Sequence, residues 1–285
     1  MNKRRLSYNK IKYQKHCSKQ VFGLFLLCTV ALLLHSCGID RNIKKGEKFL
    51  AIGEYHDAAT QFKTAYQRTP AKDRAQRGQL AAKMAFCYDR ISSSQRAIAA
   101  YRNVIRYKQD DKDTHLKLAA NLMKAGAYPE AIKEYNIALD SMPDNDIAKE
   151  GLTAATKAPA IKEQGSYYQV KKMDKFNSRR QDYSPMLFGD QYNQLYFTST
   201  RNDAQGDEVS GITGVKPGDI FVSEKDEKGK WTTPHTIESG LNSETDEGTP
   251  AFSVDGREMY ITQCLTDPTY PRFAQIAVSN RSDAA

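Results

Sequence analysis

The sequence predicts a multi-domain chain, α then β: an α-solenoid of helical hairpins followed by short antiparallel strands. Three observations predict it. Gly53-Glu54-Tyr55-His56-Asp57-Ala58 is answered by Gly126-Ala127-Tyr128-Pro129-Glu130-Ala131, each a tight turn opening a helix. After Ala158-Pro159-Ala160 the helical period gives way to alternating runs bounded by Gly, Asp and Pro, the pattern of strands joined by turns. Within that second region one hairpin occurs twice, beginning at Asp182 and again at Glu247. The organisation read from these is a leader over 1–36, a helical domain over 37–164 and a strand domain over 165–285.

The leader carries seven basic residues, from Lys3 to Lys19, and no acid, then an apolar stretch from Val21 to Leu34 and the run Leu33-Leu34-His35-Ser36-Cys37. That stretch has the length of a secretory signal core and is too short to span a bilayer. It resembles a bacterial lipobox, with His35 where a small residue is usual. The resemblance implies cleavage before Cys37, acylation of its thiol and amino group, and a membrane partner held through that lipid, since two or more acyl chains anchor stably where one does not. Gly38 in place of aspartate implies, by the same resemblance, the outer membrane. Setting the leader aside also removes the basic excess: 7 of the 42 Lys and Arg leave with it, so the remaining 35 nearly balance 34 Asp and Glu. The charge therefore argues against a nucleic-acid partner. Cys87 and Cys264 remain, one per domain, and read as two free thiols rather than an interdomain disulfide.

In the helical domain the small residues Ala58, Ala97 and Ala131 are each followed one turn later by Phe62, Tyr101 and Tyr135. Ala97 to Ala131 is 34 residues and Ala58 to Ala97 is 39; Ser92-Ser93-Ser94 stands where the other copies have a glycine turn. Gly46 with Phe49, Ala85 with Tyr88, and Ala119 with Leu122 fill the matching positions upstream. This resembles the tetratricopeptide repeat, in about three hairpins with a five-residue extension between the first two. A capping helix is expected over Asp144 to Lys157, with Ile147, Leu152 and Ala155 as its apolar side. The resemblance implies a peptide-binding groove lined by the first helix of each pair. By register, Glu47, Leu50, Phe86, Asp89, Arg90, Ala120, Met123 and Lys124 face it; the same surface would also serve if the repeats only space and orient.

The first hairpin runs Asp182-Tyr183-Ser184-Pro185-Met186-Leu187-Phe188, a turn, then Gln194 to Arg201; the second runs Glu247 to Ser253, Asp255-Gly256, then Glu258 to Thr262. Asp219 to Ser223 and Trp231 to Pro234 lie between them, and Ala274 to Val278 follows. This is similar to the blades of TolB-like and WD-type propellers, and implies a partial β-propeller of about two four-stranded antiparallel blades. A propeller closes with about four to eight blades, so the expectation is a piece of a longer protein, or a sheet completed by a partner chain. The whole order resembles outer-membrane lipoproteins of Bacteroidota that continue into an OmpA-like domain, including the PorE-type component of type IX secretion and gliding. On that resemblance, peptidoglycan would be reached only through a domain these residues do not include.

The mature chain has no Gly-rich phosphate loop, His-Glu-x-x-His, Cys-x-x-Cys or Gly-x-Ser-x-Gly, and His56, His115 and His235 are far apart. Acidic runs at Asp203 to Glu208 and Glu244 to Glu247 could coordinate calcium but equally read as solvated loops, so no metal, cofactor or catalytic residue is assigned. The expected function is a non-enzymatic, lipid-anchored envelope scaffold with protein or peptide partners. The alternative is a propeller-bearing hydrolase or sugar-processing lipoprotein whose catalytic domain lies beyond residue 285.

Overall fold

A computed structural model describes residues 38–189, 191–237, 240–264 and 274–281; the leader and Cys37 lie outside the described residues. Helices come first: α1 (38–51), α2 (Tyr55–Arg68), α3 (Arg74–Arg90), α4 (Ser94–Arg106), α5 (Thr114–Lys124), α6 (Tyr128–Ser141) and α7 (Asp146–Gln164). From α2 onward each packs on its successor in the chain. The turns are placed by backbone chemistry. Gly53 and Gly126 take φ of 79° and 74°, and the amide after each reaches back to the last turn of its helix, Glu54 N to Phe49 O at 2.9 Å and Ala127 N to Leu122 O at 2.9 Å. These are Schellman caps. Ser92, at φ 54°, makes the same cap without glycine, with Ser93 N bonded to Tyr88 O at 2.9 Å. The middle repeat therefore keeps the turn although its sequence lacks the signature.

Packing follows the small-then-aromatic pattern. Ala58, Ala97, Ala131 and Phe62 have no exposed surface, and Tyr101 and Tyr135 are buried. Gly46 lies against Phe62 so closely that an added Cβ would stand 2.5 Å from its ring, and Gly151 of α7 meets the Tyr135 ring in the same way. The five-residue extension falls mainly in α3, which is six residues longer than α5, 17 against 11, while the loop before it is two residues shorter. Two features of the cap differ from expectation. Ile147 is 70% exposed, and the buried side of α7 is instead Ala148 and Ala155 with half-buried Leu152, the stripe that faces α6. The helix also continues through Pro159 to Gln164. Proline removes one intrahelical bond, and because residues 159–164 are exposed, no packed neighbour is disturbed there.

Two antiparallel sheets follow. The first has the order β1 (Asp182–Phe188), β2 (Gln194–Ser199), β3 (Asp219–Glu224), β4 (His235–Thr236); the second has β5 (Asp246–Phe252), β6 (Glu258–Cys264), β7 (Ala274–Asn280). They are a partial sheet domain of two blade-like units, one of four strands and one of three among the described residues. The fourth strand is shorter and later than the sequence suggests. Trp231 makes only an isolated bridge to Lys225, and Pro234, lacking an N–H, precedes the two-residue β4. Ser184 and Thr249 both sit at φ near 50°, and both hairpins shift register there, between Tyr183 and Met186 and between Gly248 and Ala251. The duplicated Ser-Pro and Thr-Pro thus encode duplicated bulges. The repeat also extends upstream: Ser178 N donates to Asp182 Oδ2 at 2.6 Å, and Ser243 N donates to Glu247 Oε2 at 2.8 Å.

Between the sheets pack Ile220, Met259 and Ile261, with Tyr196 and Phe252 at the margin. The Phe188 and Phe252 rings stack at 4.1 Å, and Thr198 Oγ1 accepts from Thr249 N at 2.9 Å. The opposite face of the first sheet is covered by Phe176 against Phe197 and Phe221, with Trp231 beside it. Cys87 is a buried thiol that is not bridged to Cys264.

Asp219 heads β3 with no exposed surface; its Oδ2 accepts from Gln205 N at 2.8 Å while Oδ1 is buried without a partner. Burial pushes its carboxyl up to about 6, the charges of Glu247 and Asp246 adding to the effect against the Gln205 amide and Lys216. A carboxyl whose pKa is higher folded than unfolded binds its proton more tightly in the fold. Its contribution to stability is therefore full below about pH 4 and is lost as pH rises through about 6. Urea denaturation read by Trp231 fluorescence is expected to show the sheet domain weaker at pH 8 than at pH 5 by roughly 1 kcal/mol from this group. Asp219→Asn is expected to flatten that difference.

Candidate partner-binding face

The candidate residues come from the first helix of each hairpin, where positions three and four apart share one face. On α3 that face carries Lys83, Phe86, Asp89 and Arg90; α1 contributes Glu47 and Leu50, and α5 contributes Ala120, Asn121, Met123 and Lys124. Glu47 pairs with Lys83, joining α1 to α3. Asp89 Oδ1 accepts from Asn121 Nδ2 at 2.9 Å and from Lys124 Nζ at 3.2 Å, joining α3 to α5. Such part-exposed pairs contribute at most about 1 kcal/mol each. Their effect is to hold side chains in register across the repeats.

Phe86 is 45% exposed, an unusual setting for a large aromatic ring. It is held by Tyr55 of α2, whose ring meets it edge-on at 6.1 Å, and the guanidinium of Arg90 lies over the same Tyr55 ring at 5.3 Å. Leu50 and Met123 are half-buried against the helical core, Ala120 is half-buried, and Arg90 and Lys124 are exposed. Beneath this surface the Cys87 thiol is pushed up to about 12, by burial first and by the Glu47 charge second, which leaves it an inert packing group. Three further residues support the face: Lys83, Tyr55 and, beneath it with no exposed surface, Asn121. Lys83 was findable, standing three residues before Phe86. Asn121 could have been noticed as a polar residue inside the apolar run from Leu118 to Leu122. Tyr55 reads in the sequence only as part of a turn signature.

The strand domain touches the first hairpin beside this face. Glu54, which precedes α2, supplies no side-chain cap. Instead the N–H groups of His56 and Asp57 donate to the carbonyls of Ile212 and Gly211, each at 3.1 Å. The β2–β3 loop thus meets two of the unpaired amides that every helix N-terminus presents. Gly214, at φ 75°, lies against the His56 ring with no room for a Cβ. Two carboxylates of the acidic run Glu244 to Glu247 are engaged within the fold. Glu247 accepts from the hydroxyls of Ser243 at 2.6 Å and Thr245 at 2.8 Å, and Asp246 Oδ1 accepts from Gly218 N at 2.6 Å.

Solved structures similar to the helical part are tetratricopeptide-repeat domains. The first such domain of Spaghetti (RPAP3), bound to the HSP90 peptide SRMEEVD, is 19% identical over 44% of this chain and 95% of its own, with a TM-score of 0.36. The first such domain of human RPAP3 is 20% identical over 45% of this chain and 98% of its own, TM-score 0.37. The Sgt2 domain of Aspergillus fumigatus is 16% identical over 48% and 88%, TM-score 0.36. Likeness of this degree carries no argument about ligands. No protein-family model matches the chain, and no curated protein matches it.

Proposed function

We propose that this protein is a non-enzymatic, lipid-anchored scaffold of the cell envelope that docks a protein segment across α1, α3 and α5, with the sheet domain as a platform fixed against the first hairpin. The observation that carries the docking is the exposed Phe86 ring, held by Tyr55 beside Arg90 and flanked by the two cross-helix charge pairs. Aromatic and arginine anchors set among near-neutral contacts are the usual centre of a binding surface. Glu47 and Asp89 are already paired with Lys83 and Lys124, so the cation left to a partner is Arg90. The matching segment carries an apolar side chain for Phe86 next to a carboxylate for Arg90. A photo-crosslinking residue at position 86 is expected to capture a protein in the native envelope, while one at Ile137, exposed on α6, captures none. Equal capture at both positions would defeat the assignment. Against a captured partner, Phe86→Ala is expected to weaken binding roughly 30-fold.

In this proposal the chain is acylated at Cys37, resides in the outer membrane and belongs to an assembly of the Bacteroidota type, such as type IX secretion and gliding. The basic leader and the lipobox-like run support it. Metabolic labelling with a palmitate analogue is expected to mark the wild-type chain and leave Cys37→Ser unmarked. Label persisting on Cys37→Ser would remove the anchor from the proposal.

A further inference from the structure

The helical domain changes sign along one of its ends. The C-terminus of α2, the N-terminus of α3 and the C-terminus of α4 come together there, as Arg74 Nη2 donates to Arg106 O at 2.8 Å and the Tyr66 and Tyr107 hydroxyls meet at 3.1 Å. Arg74 and Arg77 lie over the Tyr107 ring at 5.4 and 5.8 Å, and Arg77 over Tyr66 at 4.5 Å. Arg68, Lys72, Arg74, Arg106 and Lys108 are exposed on this end and Arg77 is half-buried. Within the α2–α3 corner the acid beside these cations is Asp73, whose carboxylate is occupied capping α3 through Gln76 N at 3.1 Å, while the next acids begin two residues after Lys108. The corners that continue the end into the third repeat are the reverse, with Asp110, Asp111 and Asp113, then Asp140, Asp144 and Asp146. A cationic cluster confined to the first two repeats does not arise from overall composition, which is balanced.

The start of α1 lies at this same end: a Cβ on Gly38 would stand 3.3 Å from Arg68 Nη1. The first turn of α1 therefore stands beside the cations. From this juxtaposition we infer that the α2–α3 corner and the C-terminus of α4 form a docking surface for anionic phospholipid headgroups. Arginine and lysine supply the charge, and the half-buried Tyr66 and Tyr107 supply the amphipathic rings suited to a membrane interface. The acidic corners that continue this end are repelled by the same headgroups, so the end is tilted with its first two repeats toward the bilayer, which orients the docking face of α1, α3 and α5. The orientation rests on the anchor proposed at Cys37; the headgroup affinity does not.

The test uses residues 38–285, without the leader, Cys37 or lipid, so that it succeeds or fails independently of acylation. Co-sedimentation with phosphatidylcholine vesicles containing phosphatidylglycerol is expected to pellet the protein, and vesicles of phosphatidylcholine alone are not. Near an anionic surface each Lys or Arg contributes roughly a fivefold factor, so Arg68→Gln, Lys72→Gln and Lys108→Gln together are expected to lower binding about a hundredfold. Added salt is expected to release the wild-type protein. These three side chains are exposed, and an unchanged thermal melt of the triple variant verifies that it folds. Lys133→Gln and Lys157→Gln, on α6 and α7, are expected to bind as wild type. Equal pelleting by both kinds of vesicle, pelleting by neither, or full retention by the triple variant would overturn the inference. Failure of palmitate labelling at Cys37 with anionic binding intact would remove the anchor and leave the surface.

Discussion

Arg201→Ala is expected to cost the sheet domain about 3–5 kcal/mol, the range for breaking one side of a buried charge pair. Arg201 and Asp182 keep only 13% and 9% of their side-chain surface exposed, and Arg201 Nη2 meets Asp182 Oδ1 at 2.9 Å. The same guanidinium donates to Phe176 O at 2.6 Å and to Ser199 Oγ at 2.8 Å, and lies over the Phe197 and Phe221 rings at 5.0 and 4.7 Å. One side chain thus ties the segment before β1, the end of β2 and the aromatic face of the sheet. Removing it leaves the Asp182 carboxylate buried without its counter-charge, held only by Ser199 Oγ and Ser178 N. Burial raises that carboxyl, but the hydrogen bonds from Ser199, Ser178 and Arg201 outweigh it and hold the group below the usual range. A lowered folded pKa stabilises above the unfolded value near 4 and is lost as pH falls through the folded one. The deficit of Arg201→Ala is accordingly expected to be larger at pH 7 than at pH 4. Trp231, the sole tryptophan in the chain, stands 5.5 Å from the Phe176 ring and makes the measurement local to this domain. Arg201→Lys keeps charge but not the planar fork, and is expected to recover only part of the loss. A loss under 1 kcal/mol for Arg201→Ala would mean that the network is not a unit.

Phe62→Ala is expected to cost the helical domain a similar 3–5 kcal/mol, through lost burial and the cavity left behind. Its ring is fully buried between the first two helices, in contact range of the Gly46 backbone. Gly46→Ala provides the complementary test. In the wild-type background the new methyl would intrude on the Phe62 ring at 2.5 Å, whereas in the Phe62→Ala background it enters vacated space and improves helix propensity. The two changes are therefore expected to be less harmful together than their sum, and thermal melts followed by circular dichroism in a double-mutant cycle would show it. Strict additivity would place Gly46 and Phe62 apart. Because repeats couple mainly to their neighbours, loss at the first hairpin is expected to uncouple it from the third without unfolding α5 to α7.

Features written in local spacing were legible in the sequence. The repeat of small and aromatic residues, the glycine turns at 53 and 126, and the duplicated hairpin each depend on contacts within a few residues or on backbone φ preference, so they leave a pattern in the chain. The groove register named Phe86, Asp89 and Lys124 by the same periodicity. What the sequence could not determine are pairings between distant positions. Ile147 and Ala148 are adjacent, and only the position of α6 decides which of them is covered. Tyr55 gains its role from Phe86 and Arg90, and Arg201 gains its role from Asp182 and Phe176. The carbonyls that meet the start of α2 come from a loop about 155 residues further along. Nor does a composition near neutrality reveal that six cations gather at one end of two repeats, because charge is summed along a chain but acts across a surface.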